Sequence, residues 1–252
     1  MPEESVYDSL KKEGVSRRDF LKLCGLLAGT IGMTAMPPLD ASGLPSSLGN
    51  TGTKPVEKIA RALESKPRAP VIWLEFQDCA GCSEALTRSN APTLSNLVLN
   101  SITVEYHETL SAAAGFQAEE AKKQAMEKYA GQYILVVEGS IPVADNGIYC
   151  TIGGRTAEDI LYEAAAGAAA IIATGNCSAF GGLPKANPNP TNAKSVMDLI
   201  TDKPIINIPG CPAIPEVFTG VVAHFLIFGE LPKMDDLHRP LAFYGKTVHD
   251  RC

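Results

Sequence analysis

Apolar residues in this chain fall in short runs separated by glycine, proline and polar clusters, and the period of each run predicts its element. Val71–Phe76, Tyr133–Glu138, residues 169–175 and residues 204–208 are near-continuous Val/Ile/Leu/Ala stretches of strand length, while Ile102–His107 alternates like a half-exposed strand. Between them, residues 118–129, 156–168, 196–200 and 215–229 have helical spacing or composition, and residues 83–88 form a helical turn. The helix at 215–229 opens on Pro215 and closes on Gly229, the expected punctuation. Four of the strands are apolar at both parities. That requires cover on both faces and predicts a parallel sheet with helices on each side.

The expected fold class is therefore α/β, a doubly wound parallel sheet of flavodoxin-like arrangement, over residues 70–232. Residues 46–69 read as a linker containing a short helix at 56–63. From Leu231 the pattern fades, and 233–252 reads as the start of a further, C-terminal segment.

A different pattern occupies residues 1–45. Ser16-Arg17-Arg18-Asp19-Phe20-Leu21-Lys22 precedes the apolar stretch Leu23–Met36, which Pro37-Pro38 closes. Fourteen residues are too few to span a bilayer but suit the apolar core of an export signal. The paired arginines followed by Phe and Leu resemble a twin-arginine signal, which implies export of the folded chain by the twin-arginine machinery. Cys24 lies inside that leader. Composition is otherwise ordinary for a globular chain, with 45% hydrophobic and 20% charged residues. The net charge of −6 supplies no basic field for nucleic acid.

Chemistry concentrates in cysteines. Cys79 and Cys82 follow the first strand as Cys-x-x-Cys, Cys177 follows the strand at 169–175, and Cys211 follows the strand at 204–208. In an open parallel sheet all strand carboxyl ends lie on one edge, so thiols spread over more than 130 residues converge there. Four converging thiolates point to a metal centre, with iron–sulfur and zinc as the alternatives. Four-cysteine zinc sites usually combine two local pairs, and this chain has one.

These segments resemble the small subunit of nickel–iron hydrogenases of the exported, membrane-associated uptake type. The resemblance rests on Gln77-Asp78-Cys79-Ala80-Gly81-Cys82-Ser83-Glu84, Glu138-Gly139-Ser140-Ile141-Pro142, Gly175-Asn176-Cys177-Ser178-Ala179-Phe180-Gly181-Gly182, Asn187-Pro188-Asn189-Pro190-Thr191 and Pro209-Gly210-Cys211-Pro212, in that order. It implies a hydrogenase that works as a complex. A large subunit carrying Ni–Fe splits hydrogen, and this chain passes the electrons on through iron–sulfur clusters to a membrane acceptor subunit on the periplasmic side. It assigns Cys79, Cys82, Cys177 and Cys211 to a proximal [4Fe–4S] cluster, with Gly81 and Gly182 standing where oxygen-tolerant members carry extra cysteines. His249 and Cys252 fall where a distal [4Fe–4S] cluster begins. The other distal ligands and those of a medial [3Fe–4S] cluster are expected only in a complete chain, so the sequence reads as truncated. A respiratory NADH:quinone oxidoreductase subunit shares the ancestral fold but uses an adjacent Cys-Cys pair and no such leader.

The remaining candidates are weaker. Glu84, two residues past Cys82, is either a solvated helix-start carboxylate or a proton-transfer or interface group. Glu138 ends a strand on the cysteine edge, and is either structural or a group that approaches the cluster. Cys150, His107 and His224 read as structural side chains.

Overall fold

The computed structural model describes residues 5–12, 14–30, 53–65, 67–89, 93 and 101–252. The end of the apolar leader stretch and the processing region, residues 31–52, lie outside the described residues.

Five parallel strands form the central sheet: β1 (Ala69–Glu75), β2 (Ile102–His107), β3 (Ile134–Glu138), β4 (Ala170–Thr174) and β5 (Ile205–Ile208). Their spatial order is β2-β1-β3-β4-β5, the flavodoxin-like doubly wound order with its reversal between β1 and β3. Register places Glu75 opposite Glu138, Glu138 opposite Thr174, and Thr174 opposite Ile208, so the carboxyl ends of four strands are level.

The two parities of each strand bury separately. Ile72, Leu74, Leu135, Val137, Ile171 and Ala173 pack on one face under α5 (Phe116–Lys128) and α6 (Ala157–Gly167). Val71, Trp73, Val136, Ile172, Ile206 and Ile208 pack on the other under α4 (Gly81–Thr87) and α8 (Pro215–Phe228). Helix α6 starts where the Thr156 side chain accepts the Asp159 N–H at 3.2 Å, and α8 runs from Pro215 to a left-handed Gly229.

Cys177 lies in α7 (Gly175–Phe180), which begins as β4 ends. One reading from sequence needs amendment. The helix in the linker is longer than the apolar spacing predicts, running as α3 from Thr53 to Ser65. It packs with α1 (Val6–Lys12) and α2 (Arg17–Thr30) against the C-terminal half of α8. Among the described residues no helix is long and apolar enough to cross a membrane.

Leu135 sits on the central strand and is fully buried. Leu135→Ala should lower unfolding stability by about 3 kcal/mol, the transfer and cavity loss for a core leucine, measured as a shifted denaturation midpoint at unchanged slope.

Candidate metal centre

The level strand ends bring all four sequence-predicted thiols to one place. Cys79 and Cys82 bracket the start of α4 after β1, Cys177 is in the first turn of α7 after β4, and Cys211 follows β5. Their mutual proximity is electrostatic as well as topological. Burial pushes the Cys82 thiol up to about 12, and the neighbouring Cys79 and Cys177 push it the same way. Burial also raises Cys177, whose other thiol neighbours are Cys211 and Cys79.

The loops are tied to one another directly. Asn176 N–H donates to the Gly210 carbonyl at 2.8 Å, and Gly210 N–H donates back to Asn176 Oδ1 at 3.0 Å, joining the Cys177 and Cys211 loops. Ala213 N–H points at Cys82 Sγ at 3.5 Å. Glycines make room for sulfur. A Cβ on Gly175 would lie 2.5 Å from Cys82 Sγ, and one on Gly182 would lie 2.7 Å from Cys177 Sγ and Cα. Both glycines have positive φ, so a side chain there would be strained as well as crowded.

The Cys-x-x-Cys turn is held from below by Glu138, which is 2% exposed. Its carboxylate accepts the Cys82 N–H at 2.8 Å, the Ser83 N–H at 3.0 Å and the Ser83 hydroxyl at 2.7 Å. These are first-turn donors of α4, which lacks a side-chain cap of its own, so a strand residue 55 positions away caps it. The motif segments flanking Glu138 brace the same turn. Gln77 and Ser140 exchange backbone hydrogen bonds at 3.1 Å in both directions, and the Gln77 amide donates to Thr191 Oγ1 at 3.2 Å.

Behind Glu138 lies a buried polar layer. Ser83 spends its one proton on Glu138, so His107 Nε2–H is the donor to Ser83 Oγ across 3.2 Å. His107 Nδ1 then accepts from Thr109 N–H at 3.3 Å, which fixes a neutral tautomer. Glu75 Oε2 stands 3.5 Å from that Nδ1, close enough for an ion pair if the ring were charged. Burial outweighs that attraction, lowering His107 to about 4 and raising Glu75. Burial and then the Glu138 charge push Asp78 up to about 6.

The donor set fits an iron–sulfur cluster better than zinc. Glu75, Asp78 and Glu138 form the set of metal-capable groups found with ligand atoms within 4.8 Å of one another among the described residues. Among the described residues no three thiols are that close, whereas tetrahedral zinc would hold its sulfurs about 3.8 Å apart. Soft thiolates on separate elements, spaced more widely and fed by backbone N–H groups, suit a cluster.

The other predicted residues separate from this site. Glu84 is exposed, and its Oε1 accepts from Arg88 Nε at 2.7 Å one turn later, so its carboxylate is a solvated ion pair on α4. His249 and Cys252 share a terminal 3₁₀ turn, both exposed. Cys150 is half-buried against the core, and His224 packs on Phe228 with ring centres 4.6 Å apart. Sequence reasoning did not find the roles of Glu138, Ser83 and Asn176. A lone acid ending a Val-rich strand and an Asn directly before a cysteine were the available signals.

Comparison with known proteins gives the family of the chain. Residues 79–225 match the family described as NADH ubiquinone oxidoreductase, 20 kDa subunit. The chain is 46% identical over 243 residues to the hydrogenase-2 small chain of Escherichia coli K12, covering 96% of this chain and 60% of that one. It is 43% identical to the uptake hydrogenase small subunit of Azotobacter vinelandii, covering 99% and 64%. The chain thus spans about 60% of the length of these curated relatives. Among solved structures, the [NiFeSe]-hydrogenase of Desulfomicrobium baculatum superposes with a TM-score of 0.71 at 35% identity, over 74% of each chain.

The buried layer makes two predictions. His107 should stay neutral across the mildly acidic range, because its folded value lies near 4 and the free imidazole near 6.5. The unfolded chain then binds a proton that the fold excludes, so this residue's contribution to stability is full above about pH 6.5 and declines toward pH 4. Imidazole nitrogen shifts in an NMR titration should therefore be flat from pH 7.5 to 5. Glu138→Ala leaves two α4 N–H groups unpaired and should cost about 2 kcal/mol of stability, together with loss of bound metal. Glu138→Gln, which keeps one acceptor, should fall between the two in thermal melts and metal content.

Proposed function

Because the chain belongs to the family of nickel–iron hydrogenase small subunits, we propose that it is the electron-transfer subunit of such a hydrogenase. In this reading Cys79, Cys82, Cys177 and Cys211 hold a proximal [4Fe–4S] cluster. The observation that carries it is the convergence of these four thiols on the level carboxyl ends of β1, β4 and β5, with glycines clearing the space beside two of them. When bound, the cluster supplies reversible one-electron storage without a change of partners.

The chain's own residues do the holding and tuning. Cys82 and Cys177 sit where burial disfavours bare thiolates, so they favour a ligand that shares the charge. The Ala213 N–H, directed at Cys82 Sγ, stabilises electron density on that sulfur. Glu138, Asn176 and Gly210 fix the ligand loops to the sheet edge, so the sulfurs need not rearrange as charge comes and goes.

Hydrogen splitting belongs, on this proposal, to a large subunit carrying Ni–Fe. Cys79 and Cys211 are exposed, and beside them Leu183 (86% exposed) and Ile214 (53%) present apolar side chains. Such a rim needs cover by a partner and matches the face through which electrons would enter. His249 and Cys252 are proposed ligands of a distal [4Fe–4S] cluster. Export by the twin-arginine machinery through Arg17 and Arg18 would place the complex at the periplasmic side of the cytoplasmic membrane, beside a membrane acceptor subunit.

Cys177→Ser should abolish or convert the electron paramagnetic resonance signal of the proximal cluster in anaerobically prepared protein. An unchanged cubane signal would mean that the ligand set is wrong. The isolated chain should show no hydrogen uptake, with activity appearing only on reconstitution with a large subunit. Nickel bound stoichiometrically to the isolated chain would refute this division of labour.

A further inference from the structure

The helix that carries the paired arginines is packed onto the domain it precedes. Phe20, Cys24 and Leu27 of α2 are buried against Ile59 and Leu63 of α3 and Ile227 of α8. The Phe20 ring lies 4.5 Å from that of Tyr7, centre to centre. The Arg17 guanidinium pairs with the Glu64 carboxylate of α3 and sits 5.0 Å from the Tyr7 ring centre and 5.5 Å from that of Phe20. Ser16 caps the same helix by accepting the Asp19 N–H at 3.2 Å; both arginines are exposed, and the Arg17 side chain, though paired, keeps 53% of its surface open.

Arg17 and Phe20 are thus held by the fold although they belong to the segment that reads as an export signal. We propose that the leader is latched on the α3–α8 face of its own folded domain, so that Phe20 is uncovered, and Arg17 released from its ion pair with Glu64, only when α2 lifts away. The inference rests on the twin-arginine reading of residues 16–22 and adds a regulation to it. The physical ground is competition for one apolar helix face. A receptor for the motif must replace the ion pair, the cation–ring contacts and the buried face together. Its apparent affinity is reduced by the fraction of chains whose leader is undocked. Anything that disturbs α3 or α8 raises that fraction, so the latch makes exposure of the motif depend on the state of the domain.

Cys24 reports docking, because it is fully buried in the latched helix. Burial also pushes its thiol up to about 12, which further slows alkylation. The test is the rate of N-ethylmaleimide labelling of Cys24 in the purified full-length chain, followed by peptide mass spectrometry, against a synthetic peptide of residues 1–36. The chain should label at least about tenfold more slowly than the peptide. Glu64→Gln should speed labelling about threefold. Ala60→Glu, which places a charge in the seat, should bring it close to the peptide rate while the circular dichroism of the domain is kept. Wild-type labelling at the peptide rate would overturn the latch. Export is scored separately: Arg17→Lys with Arg18→Lys should retain the chain in the cytoplasm. Normal delivery of that double variant, with slow Cys24 labelling intact, would remove the export role while leaving the docking itself standing.

Discussion

One buried carboxylate, Glu138, fixes the geometry on which the site depends. It closes β3 in the middle of the sheet and accepts three hydrogen bonds from the first turn of α4. A carboxylate taken out of water is tolerated only when its lone pairs are filled. Filling them here means that Cys82 and Ser83 must present their donors at one spot. The requirement sets where the Cys-x-x-Cys turn stands relative to β3, and through the strand register relative to Cys177 and Cys211. The layer behind obeys the same logic, since Ser83, His107, Thr109 and Glu75 satisfy one another with a neutral imidazole at the centre.

Four thiols close together are unfavourable as bare anions. Burial, the other thiols and nearby carboxylates push the protonation of Cys82 and Cys177 upward, against the backbone N–H groups of Ala213 and Leu183. On the proposed reading a cationic metal–sulfide core would answer that environment, and Gly175 and Gly182 leave room for the Cys82 and Cys177 sulfurs.

Much of this was legible in sequence because it depends on local pattern. Runs such as Ile134–Val137 are apolar at both parities, which only a doubly covered strand allows, and all five central strands were placed to within two residues. The convergence of Cys79, Cys82, Cys177 and Cys211 followed from strand direction alone. The roles of Glu138 and Asn176 were not legible, because their partners are backbone groups 56 and 34 positions away. Glu84 was open to two readings in sequence, because proximity to Cys82 says nothing about facing; in the fold its carboxylate turns to Arg88. The docking of Phe20 on Tyr7 and Ile59 was equally hidden, since an apolar leader carries no mark of what it rests against.

The central claim is that these four thiols are built for one iron–sulfur cluster, and metal and acid-labile sulfide content tests it most directly. Chain purified without oxygen should contain about four irons and about four sulfides, with the broad visible absorption of a [4Fe–4S] centre that bleaches on reduction. Stoichiometric zinc without sulfide, in a chain that keeps its fold, would contradict the account.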